Sequence, residues 1–267
     1  MRGSLVALGV RPSRRLGQNF LVDRRIAERI VAAAEPAGRT VIEIGPGLGA
    51  LSESLAEKAA ELFLVEVDRR MAARLEEQFT RSQTVHVLAA DALEVDFASV
   101  LAGREPAVAI ANLPYSVGSQ ILLRLMDARR HFNRLVVMLQ REVAERIVAA
   151  PGSKAYGVLS LLVGLHGEAR IVFRVPPSAF VPRPKVESAV VTIGLDAGPR
   201  APVRSEVRFR EVVRAAFGQR RKTLRGALSK LASADRIERA GIDPGRRGET
   251  LSLTEFAALA NELDERN

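Results

Sequence analysis

Short apolar runs alternate with amphipathic stretches along the first two thirds of the chain. Runs of roughly four to eight apolar residues bounded by Gly, Pro or acidic residues are typical of buried strands. The predicted strands are residues 40–44, 62–65, 85–89, 108–111, 135–139, 168–175 and 188–194. Helical patterns lie between them, at residues 24–34, from Leu51 onward, and at 141–148 and 158–165. This order predicts an α/β fold with a doubly wound, mostly parallel sheet and an antiparallel end.

The pattern changes after residue 195. Residues 196–202 contain Gly198, Pro199 and Pro202 and are typical of a linker. Helical patterns follow at residues 206–217, 220–231, 234–240 and 254–263. We therefore predict an α/β domain over residues 1–195, with a basic arm at 1–17, and a small all-helical domain over 203–267.

The fourth predicted strand ends at Asn112-Leu113-Pro114-Tyr115. Open α/β sheets bind their ligands at the carboxyl ends of strands. The Asn112 side-chain oxygen and the Leu113 or Pro114 carbonyl could accept both N–H groups of a nucleobase amine, and Tyr115 could stack on its ring. In isolation, a strand-terminating turn with a core tyrosine would be the better interpretation.

A glycine-rich turn, Gly45-Pro46-Gly47-Leu48-Gly49, follows the first strand and opens a helical pattern. It resembles a dinucleotide fingerprint, but Pro46 removes a donor that a phosphate would need. Residues 40–57 contain no Lys or Arg, and Glu43 precedes the glycines. The site therefore suits a cationic ligand without phosphate, and S-adenosylmethionine fits. Gly45, Gly47 and Glu43 are its predicted contacts.

Acidic residues follow the next two strands. Glu66 lies roughly 20 residues beyond the first glycine, where a carboxylate can bind ribose hydroxyls. Asp91 follows the third strand and could accept the adenine amino group of the cofactor. Asp68 and Asp91 could each instead be helix N-caps. The succession of a glycine turn, two acids and the Asn-Pro-Tyr motif on four strands favours a ligand site.

Together these motifs resemble class I methyltransferases that act on adenine N6. The whole chain resembles bacterial small-subunit (16S-type) rRNA adenine N6,N6-dimethyltransferases. The likeness spans roughly residues 11–255 and includes Gln18-Asn19-Phe20-Leu21, the glycine turn, Asn112-Leu113-Pro114-Tyr115, Ser153-Lys154-Ala155-Tyr156-Gly157, residues 176–188 and residues 217–224. The implied fold is a Rossmann-like class I methyltransferase sheet with a small all-helical C-terminal domain.

The resemblance also implies the reaction and further site residues. Two adjacent adenosines in the 3′-terminal hairpin of small-subunit rRNA would each be dimethylated, with a role in small-subunit biogenesis. Asn19 and Leu21 would bind the cofactor, and Phe180 would stack on the base opposite Tyr115. The flanking prolines of Phe180 favour an exposed, rigid loop over ordinary core packing. Methyl transfer would be direct, with the amine oriented by Asn112 and the Leu113 or Pro114 carbonyl and without a strong base.

Charge and composition agree with a polyanionic partner. The net charge is +9, and residues 204–230 hold nine Lys or Arg against two acids. We predict phosphate contacts at Arg220, Arg221, Lys222 and Arg225, although for any single arginine a solvated helix face is the better interpretation. The chain has no Cys, three scattered His and no apolar run of membrane-spanning length. We expect a cytoplasmic monomer with no metal and no membrane contact.

Two other functions remain open. A large-subunit rRNA adenine dimethyltransferase of the macrolide-resistance type would share the catalytic motifs, although residues 217–224 favour the small-subunit type. An assembly or transcription factor on the same fold would bind nucleic acid without catalysis. The acids at Glu43, Glu66 and Asp91 together with Asn112 favour the enzyme.

Overall fold

A computed structural model describes residues 17–104 and 106–264. The predicted basic arm over residues 1–17 lies outside the described residues, apart from Gly17. Contacts divide the chain into two units, the first ending at Ala144 and resuming over Arg170–Leu195, the second comprising Glu145–Ala169 and the residues from Asp196 onward. The second unit thus resumes at the predicted linker but also includes residues 145–169, which the sequence pattern assigns to the α/β domain.

A seven-stranded sheet has the strand order β4-β3-β2-β5-β6-β9-β7. The strands of the protein are β1 (Phe20–Leu21), β2 (Thr40–Ile44), β3 (Glu61–Val65), β4 (Val85–Leu88), β5 (Ala107–Asn112), β6 (Phe132–Gln140), β7 (Gly167–Val175), β8 (Phe180–Val181) and β9 (Ser188–Leu195). Strands β2 to β6 pair in parallel, and β9 is antiparallel to β6. The predicted α/β sheet with an antiparallel end is therefore confirmed.

The central strands are apolar because both faces of the sheet are covered. Residues 107–111 of β5 are all 0% exposed, which is typical of a parallel strand between helical layers. The chain passes from β2 outward to β3 and β4, and then returns to place β5 on the other side of β2. This reversal of strand order between β2 and β5 creates a crevice at their carboxyl ends, where open α/β sheets bind ligands.

The helices are α1 (Arg24–Ala34), α2 (Ser52–Ala56), α3 (Arg69–Gln78), α4 (Phe97–Val100), α5 (Gly118–Asp127), α6 (Arg141–Ile147), α7 (Val158–Gly164), α8 (Glu206–Gly218), α9 (Leu224–Ala227), α10 (Ala234–Arg239) and α11 (Leu253–Asp264). Asp23 caps α1 by accepting from Arg25 N and Ile26 N. Asp68 caps α3 by accepting from Arg70 N. These caps satisfy backbone donors that a helix start leaves open.

Strands β1 and β8 form a separate two-stranded sheet. Phe20 lies opposite Val181, and Leu21 lies opposite Phe180. Val22 N donates to Ala179 O at 2.8 Å and extends the pairing by one bond. Both strands have only two residues, which is too short for a periodic pattern, so the sequence did not predict them.

The second unit is helical, with an aromatic core. Tyr156 meets Phe217 edge-to-face at 6.0 Å between ring centroids, and Phe217 stacks on Phe256 at 5.9 Å. The Tyr156 hydroxyl donates to Leu251 O at 2.9 Å. The single helix predicted at residues 220–231 is wrong, because α8 ends at Gly218 and only the short α9 forms beyond it. Gly218 and Gly226 both lower helix propensity in this segment.

Across the described residues 17–104 and 106–264, every helix is too short or too polar to span a lipid bilayer.

Candidate active site

A cavity lies at the carboxyl ends of β2, β3 and β5, in the first unit. Its lining comes from four segments of the chain: residues 17–21, 43–51, 66–67 and 112–115. The described residues that line it include two carboxylates, Glu43 and Glu66, and no Lys, Arg or His. The cavity is thus apolar with a negative end, as expected for a ligand that carries positive charge and no phosphate.

The glycine loop (residues 45–49) forms one wall. Gly45 and Gly47 have φ values of +68° and +57°, a region that favours glycine. A Cβ on Gly47 would also lie 3.1 Å from the Phe20 ring. The Gly45 amide donates to Val65 O at 2.9 Å, which joins the loop to the end of β3. Both predicted glycines therefore line the cavity, and their backbone conformation explains why glycine is needed.

Glu66 connects this wall to the next one. Its Oε2 accepts from Gly47 N at 2.9 Å, and its Oε1 accepts from Asp68 N at 2.9 Å. Burial raises the pKa of Glu66, and these two backbone hydrogen bonds oppose the rise. The side chain is 4% exposed and lines the cavity. A carboxylate has about four acceptor sites in all, so these backbone bonds do not use every one of them.

Glu43 is the second carboxylate of the cavity and is 2% exposed. Ser52 Oγ donates to its Oε2 at 2.7 Å. Burial raises the pKa of Glu43 to about 8, with a hydrogen bond from Ser52 opposing the rise and the charge of Glu66 adding to it. Glu43 therefore carries a proton at neutral pH until a cation approaches.

The turn at residues 112–115 (the 112–115 turn) forms the opposite wall. Asn112 Nδ2 donates to Asn19 O at 3.3 Å, which orients the amide. Leu113 N donates to Met138 O at 3.1 Å, and the Tyr115 hydroxyl lies 2.6 Å from Ser188 Oγ. Asn112 and Tyr115 are half-buried and, with Pro114, line the cavity. The predicted Asn112, Pro114 and Tyr115 are thus brought together with Glu43 and Glu66.

Asn19 and Leu21 also line the cavity, next to the glycine loop. Asn19 uses its backbone carbonyl to hold Asn112, and its Nδ2 donates to Gly17 O at 3.1 Å. Leu21 is 5% exposed and pairs with Phe180 across the small sheet. Residues 17–21 therefore form part of the cavity wall, next to the strand ends.

Phe180 does not occupy the exposed loop that the flanking prolines suggested. Its side chain is 2% exposed and packs in the hydrophobic core with Leu21, Val175 and Ala179. The prediction of an exposed ring is wrong, because strand pairing with Leu21 turns the ring inward. Phe180 is also absent from the residues that line the cavity.

Asp91 lies beyond the cavity lining. It is half-buried, and its Oδ1 accepts from Leu93 N at 2.9 Å, so it stabilises the turn after β4. The second carboxylate oxygen takes no part in that bond. The alternative interpretation of Asp91 as a helix N-cap is wrong, because a turn follows it and the next helix is capped by Asp96.

The sequence interpretation missed three residues of the site. Ser52 holds Glu43, Gln18 Nε2 donates to Asp68 Oδ2 at 3.4 Å, and Val67 is 48% exposed at the cavity. Ser52 lies nine residues after Glu43, so no spacing rule links the two. The one sequence signal that could have identified Val67 is its position, since it is an apolar residue directly after a strand-terminal acid.

The basic cluster (Arg220, Arg221, Lys222 and Arg225) belongs to the second unit. All four side chains are exposed. Arg220 Nε donates to Glu249 Oε2 at 2.8 Å, so its charge is already paired. The turn between α8 and α9 carries Arg221 and Lys222, while α9 carries Arg225. The cluster is therefore a basic turn and a short helix, and not a stripe on one continuous helix.

Within residues 17–104 and 106–264, no group of three or more His, Asp or Glu side chains is arranged to hold a metal ion.

The fold and the position of the cavity define a class I methyltransferase. The structure is similar to the 23S rRNA methyltransferase ErmE, with a TM-score of 0.71 and 25% identity over 92% of this chain and 100% of that one. It is also similar to a dimethyladenosine transferase from Plasmodium falciparum, with a TM-score of 0.73 and 25% identity over 90% and 95% of the two chains.

Residues 10–265 match the model of the ribosomal RNA adenine dimethylase family, and the chain belongs to this family. Proteins called ribosomal RNA small subunit methyltransferase A are similar over nearly the whole length. The one from Syntrophotalea carbinolica is 49% identical over 94% of this chain and 96% of its own. The one from Geobacter sulfurreducens is 45% identical over 98% of each chain. The predicted family of rRNA adenine dimethyltransferases is confirmed.

We predict that Glu43 makes stability depend on pH. The folded pKa of about 8 lies above the ordinary glutamate value of 4.5, so the folded state holds a proton that the unfolded chain has released. This contribution to the free energy of unfolding is present below pH 4.5 and is lost as pH rises through about 8. Urea denaturation between roughly pH 5.5 and 9 should show a larger loss in the wild type than in Glu43→Gln, in which only Glu66 keeps a raised pKa.

The matched control is Glu76→Gln on α3, which removes an exposed carboxylate. It should keep the pH dependence of the wild type. Parallel curves for the wild type and Glu43→Gln would contradict the assignment of a buried, protonated Glu43.

Proposed function

We propose that this protein dimethylates the N6 amino groups of two adjacent adenosines in the 3′-terminal hairpin of small-subunit rRNA, with S-adenosylmethionine as methyl donor. The observation that carries the proposal is the orientation of Asn112. Its Nδ2 donates to Asn19 O, which leaves Oδ1 as an acceptor on a residue that lines the cavity together with Tyr115. Relatives that are 45–49% identical carry the small-subunit name, which favours this subunit over the large one.

The residues of the cavity fit S-adenosylmethionine. This compound supplies an electrophilic methyl group on a sulfonium. Glu43 and Glu66 place two buried carboxylates in a cavity whose described lining has no cationic side chain, which suits the charges of a sulfonium and an ammonium. The spare acceptor sites of Glu66 would bind ribose hydroxyls. Gly45, Gly47, Asn19 and Leu21 would contact the ligand from the loop and the 17–21 segment, and Asp91 would accept from its adenine end.

The 112–115 turn would orient the target amine. An adenine amino nitrogen is a poor nucleophile, since its lone pair is delocalised into the ring. Two acceptors would hold its N–H groups and direct the lone pair toward the methyl group. Asn112 Oδ1 is one acceptor. The Pro114 carbonyl already accepts from Val117 N at 3.3 Å, so the Leu113 carbonyl is the better second acceptor. Orientation of the amine and the fixed dipoles of these acceptors would then accelerate methyl transfer.

Tyr115 would stack on the target base, which must leave its helical stack to reach the cavity. Its ring lines the cavity and is partly open to solvent. In the described conformation Phe180 has no open face, so we assign it a supporting role. By packing against Leu21 it holds the 17–21 segment that carries Asn19.

The basic cluster would hold the rRNA. Arg221, Lys222 and Arg225 are exposed cations, whereas Arg220 is paired with Glu249. Guanidinium and ammonium groups on a turn can reach backbone phosphates without reading sequence. We therefore assign the main electrostatic contact to Arg221, Lys222 and Arg225, with Arg220 as a weaker contributor. A role in small-subunit biogenesis, and a location in the bacterial cytoplasm, would follow from this substrate.

A large-subunit substrate is the second candidate, because ErmE is similar over its whole length. Labelled methyl transfer to undermethylated small subunits, naked rRNA and large subunits separates the two. We expect dimethyladenosine in small subunits, and transfer to large subunits alone would overturn the proposal. We also expect the activity to sediment with the monomer.

Glu66→Ala should weaken binding of S-adenosylmethionine by about 2–3 kcal/mol, because charge-assisted hydrogen bonds are lost. Glu66→Gln keeps one oxygen acceptor and should lose less. Asp91→Ala should also lose less, because a single contact to a neutral donor is removed. Titration calorimetry measures all three. Wild-type affinity in Glu66→Ala would remove this residue from the cofactor site.

Asn112→Ala should leave binding to small subunits nearly unchanged and slow methyl transfer about 100-fold, as for loss of one preorganised polar group. Asn133→Ala serves as the control. It removes an asparagine near the start of β6, at the end of the sheet opposite to the 112–115 turn. Single-turnover transfer and filter binding measure the two quantities. If Asn112→Ala turned over within a few-fold of wild type, the proposed orientation of the amine would be wrong.

Replacing Arg221, Lys222 and Arg225 together with Ala should weaken subunit binding. It should also make the slope of log K against log[salt] shallower by about 2–3, because fewer counterions are released. Affinity for S-adenosylmethionine should not change. The control replaces three exposed arginines of the first unit, Arg25, Arg69 and Arg81, with Ala. It produces the same change in net charge, so equal salt slopes in the two variants would contradict a specific contact.

A further inference from the structure

A short hydrogen bond joins the 112–115 turn to a distant strand of the same unit. The Tyr115 hydroxyl and Ser188 Oγ are 2.6 Å apart, although 73 residues separate them in sequence. Tyr115 lines the cavity, whereas Ser188 is 0% exposed and does not line it. Ser188 therefore acts on the cavity only through the tyrosine ring.

Ser188 is a rigid partner. It begins β9 and lies opposite Gln140 on β6. The residue before it is held twice, since Arg141 N donates to Glu187 O at 2.9 Å and Arg141 Nη1 donates to Glu187 Oε2 at 2.7 Å. Because β9 lies between β6 and β7 inside the sheet, the backbone that carries the serine hydroxyl is held on both sides.

The tyrosine ring, by contrast, is attached to a turn whose backbone is held, but the ring itself needs a separate contact. Hydrogen bonds fix the start of the turn through Asn112 and Leu113. These hydrogen bonds do not fix the rotation of the side chain about Cα–Cβ. Burial raises the pKa of Tyr115, so its hydroxyl stays neutral and can donate or accept. The contact with Ser188 is then what holds the far end of the ring.

We propose that Ser188 is a positioning residue that locks the ring of Tyr115 in the plane on which the target adenine stacks. The proposal rests on the proposed function, since it assigns Tyr115 to the substrate base. Ser188 would thereby set the width of the slot between the ring and the methyl donor. Each adenosine must enter this slot twice, first as adenine and then as N6-methyladenine, so a loose ring should slow both transfers.

Steady-state kinetics on undermethylated small subunits tests the catalytic consequence. Ser188→Ala should lower kcat about 10-fold, since a small misplacement of a reacting group is costly. The KM for subunits and the affinity for S-adenosylmethionine should stay within about twofold, because neither binding surface includes Ser188. Thr192→Val removes a hydroxyl from the same strand and the same face of β9, and it should behave as wild type.

A double-mutant cycle shows whether Ser188 acts through Tyr115. Tyr115→Phe keeps the ring and removes the hydroxyl, so it should match Ser188→Ala. The double variant should be no slower than either single variant, because the same contact is removed in all three. Multiplying effects would mean that Ser188 acts by another route, and the proposal would fall.

The mobility of the Tyr115 ring can be measured directly by NMR, because the chain contains only two tyrosines and no tryptophan. Ring-labelled tyrosine should give two sets of NMR signals, one from Tyr115 and one from Tyr156, which serves as the internal reference in the second unit. In Ser188→Ala the Tyr115 signals should shift and average by faster ring motion, while those of Tyr156 stay unchanged. Unchanged Tyr115 signals would overturn the proposed contact.

The kinetic and the NMR experiments together distinguish failure of this inference from failure of the proposed function. If the wild type methylates small subunits and Ser188→Ala is equally fast, only the positioning role is wrong. If the wild type does not methylate small subunits, the proposed function is wrong, and the NMR arm still decides whether Ser188 holds the ring.

Discussion

The site depends on burying negative charge at the ends of two adjacent parallel strands. A buried carboxylate is costly unless it is hydrogen-bonded or paired. Glu66 meets this requirement with two backbone amides, Gly47 N and Asp68 N, and so joins the glycine loop to the start of α3. Glu43 meets it with Ser52 and by taking up a proton. Both carboxylates line the cavity, which is why we propose a cationic ligand for it.

Much of this site could be predicted because its residues follow strand ends. Glu43, Glu66 and Asn112 each lie within or directly after a buried apolar run, and parallel strands bring such ends together. Gly45 and Gly47 could be predicted from the glycine-rich turn after the first strand; both have positive φ, and the Phe20 ring also leaves no room for a side chain at Gly47. For these residues, one local sequence pattern and one rule of sheet topology were sufficient to predict their place in the site.

Other features could not be predicted, because they depend on partners that are distant in sequence. The ring of Phe180 faces the core because β8 pairs with β1, and two-residue strands leave no periodic signal. Arg220 looked equivalent to Arg221 until the structure placed Glu249 beside it. The grouping of residues 145–169 with the helical unit follows from contacts such as Tyr156 with Phe217, which no local pattern reveals.

The contact between Asn112 Nδ2 and Asn19 O spans 93 residues, and that between Tyr115 and Ser188 spans a further 73. The wall formed by the 112–115 turn is therefore finished only after the start of β9, Ser188, has been synthesised in a chain of 267 residues. A nascent chain that stops before β9 has the glycine loop and the acids, but its tyrosine is not anchored. Folding order thus delays the completed site until the first unit is whole, so truncated translation products are expected to lack an ordered site.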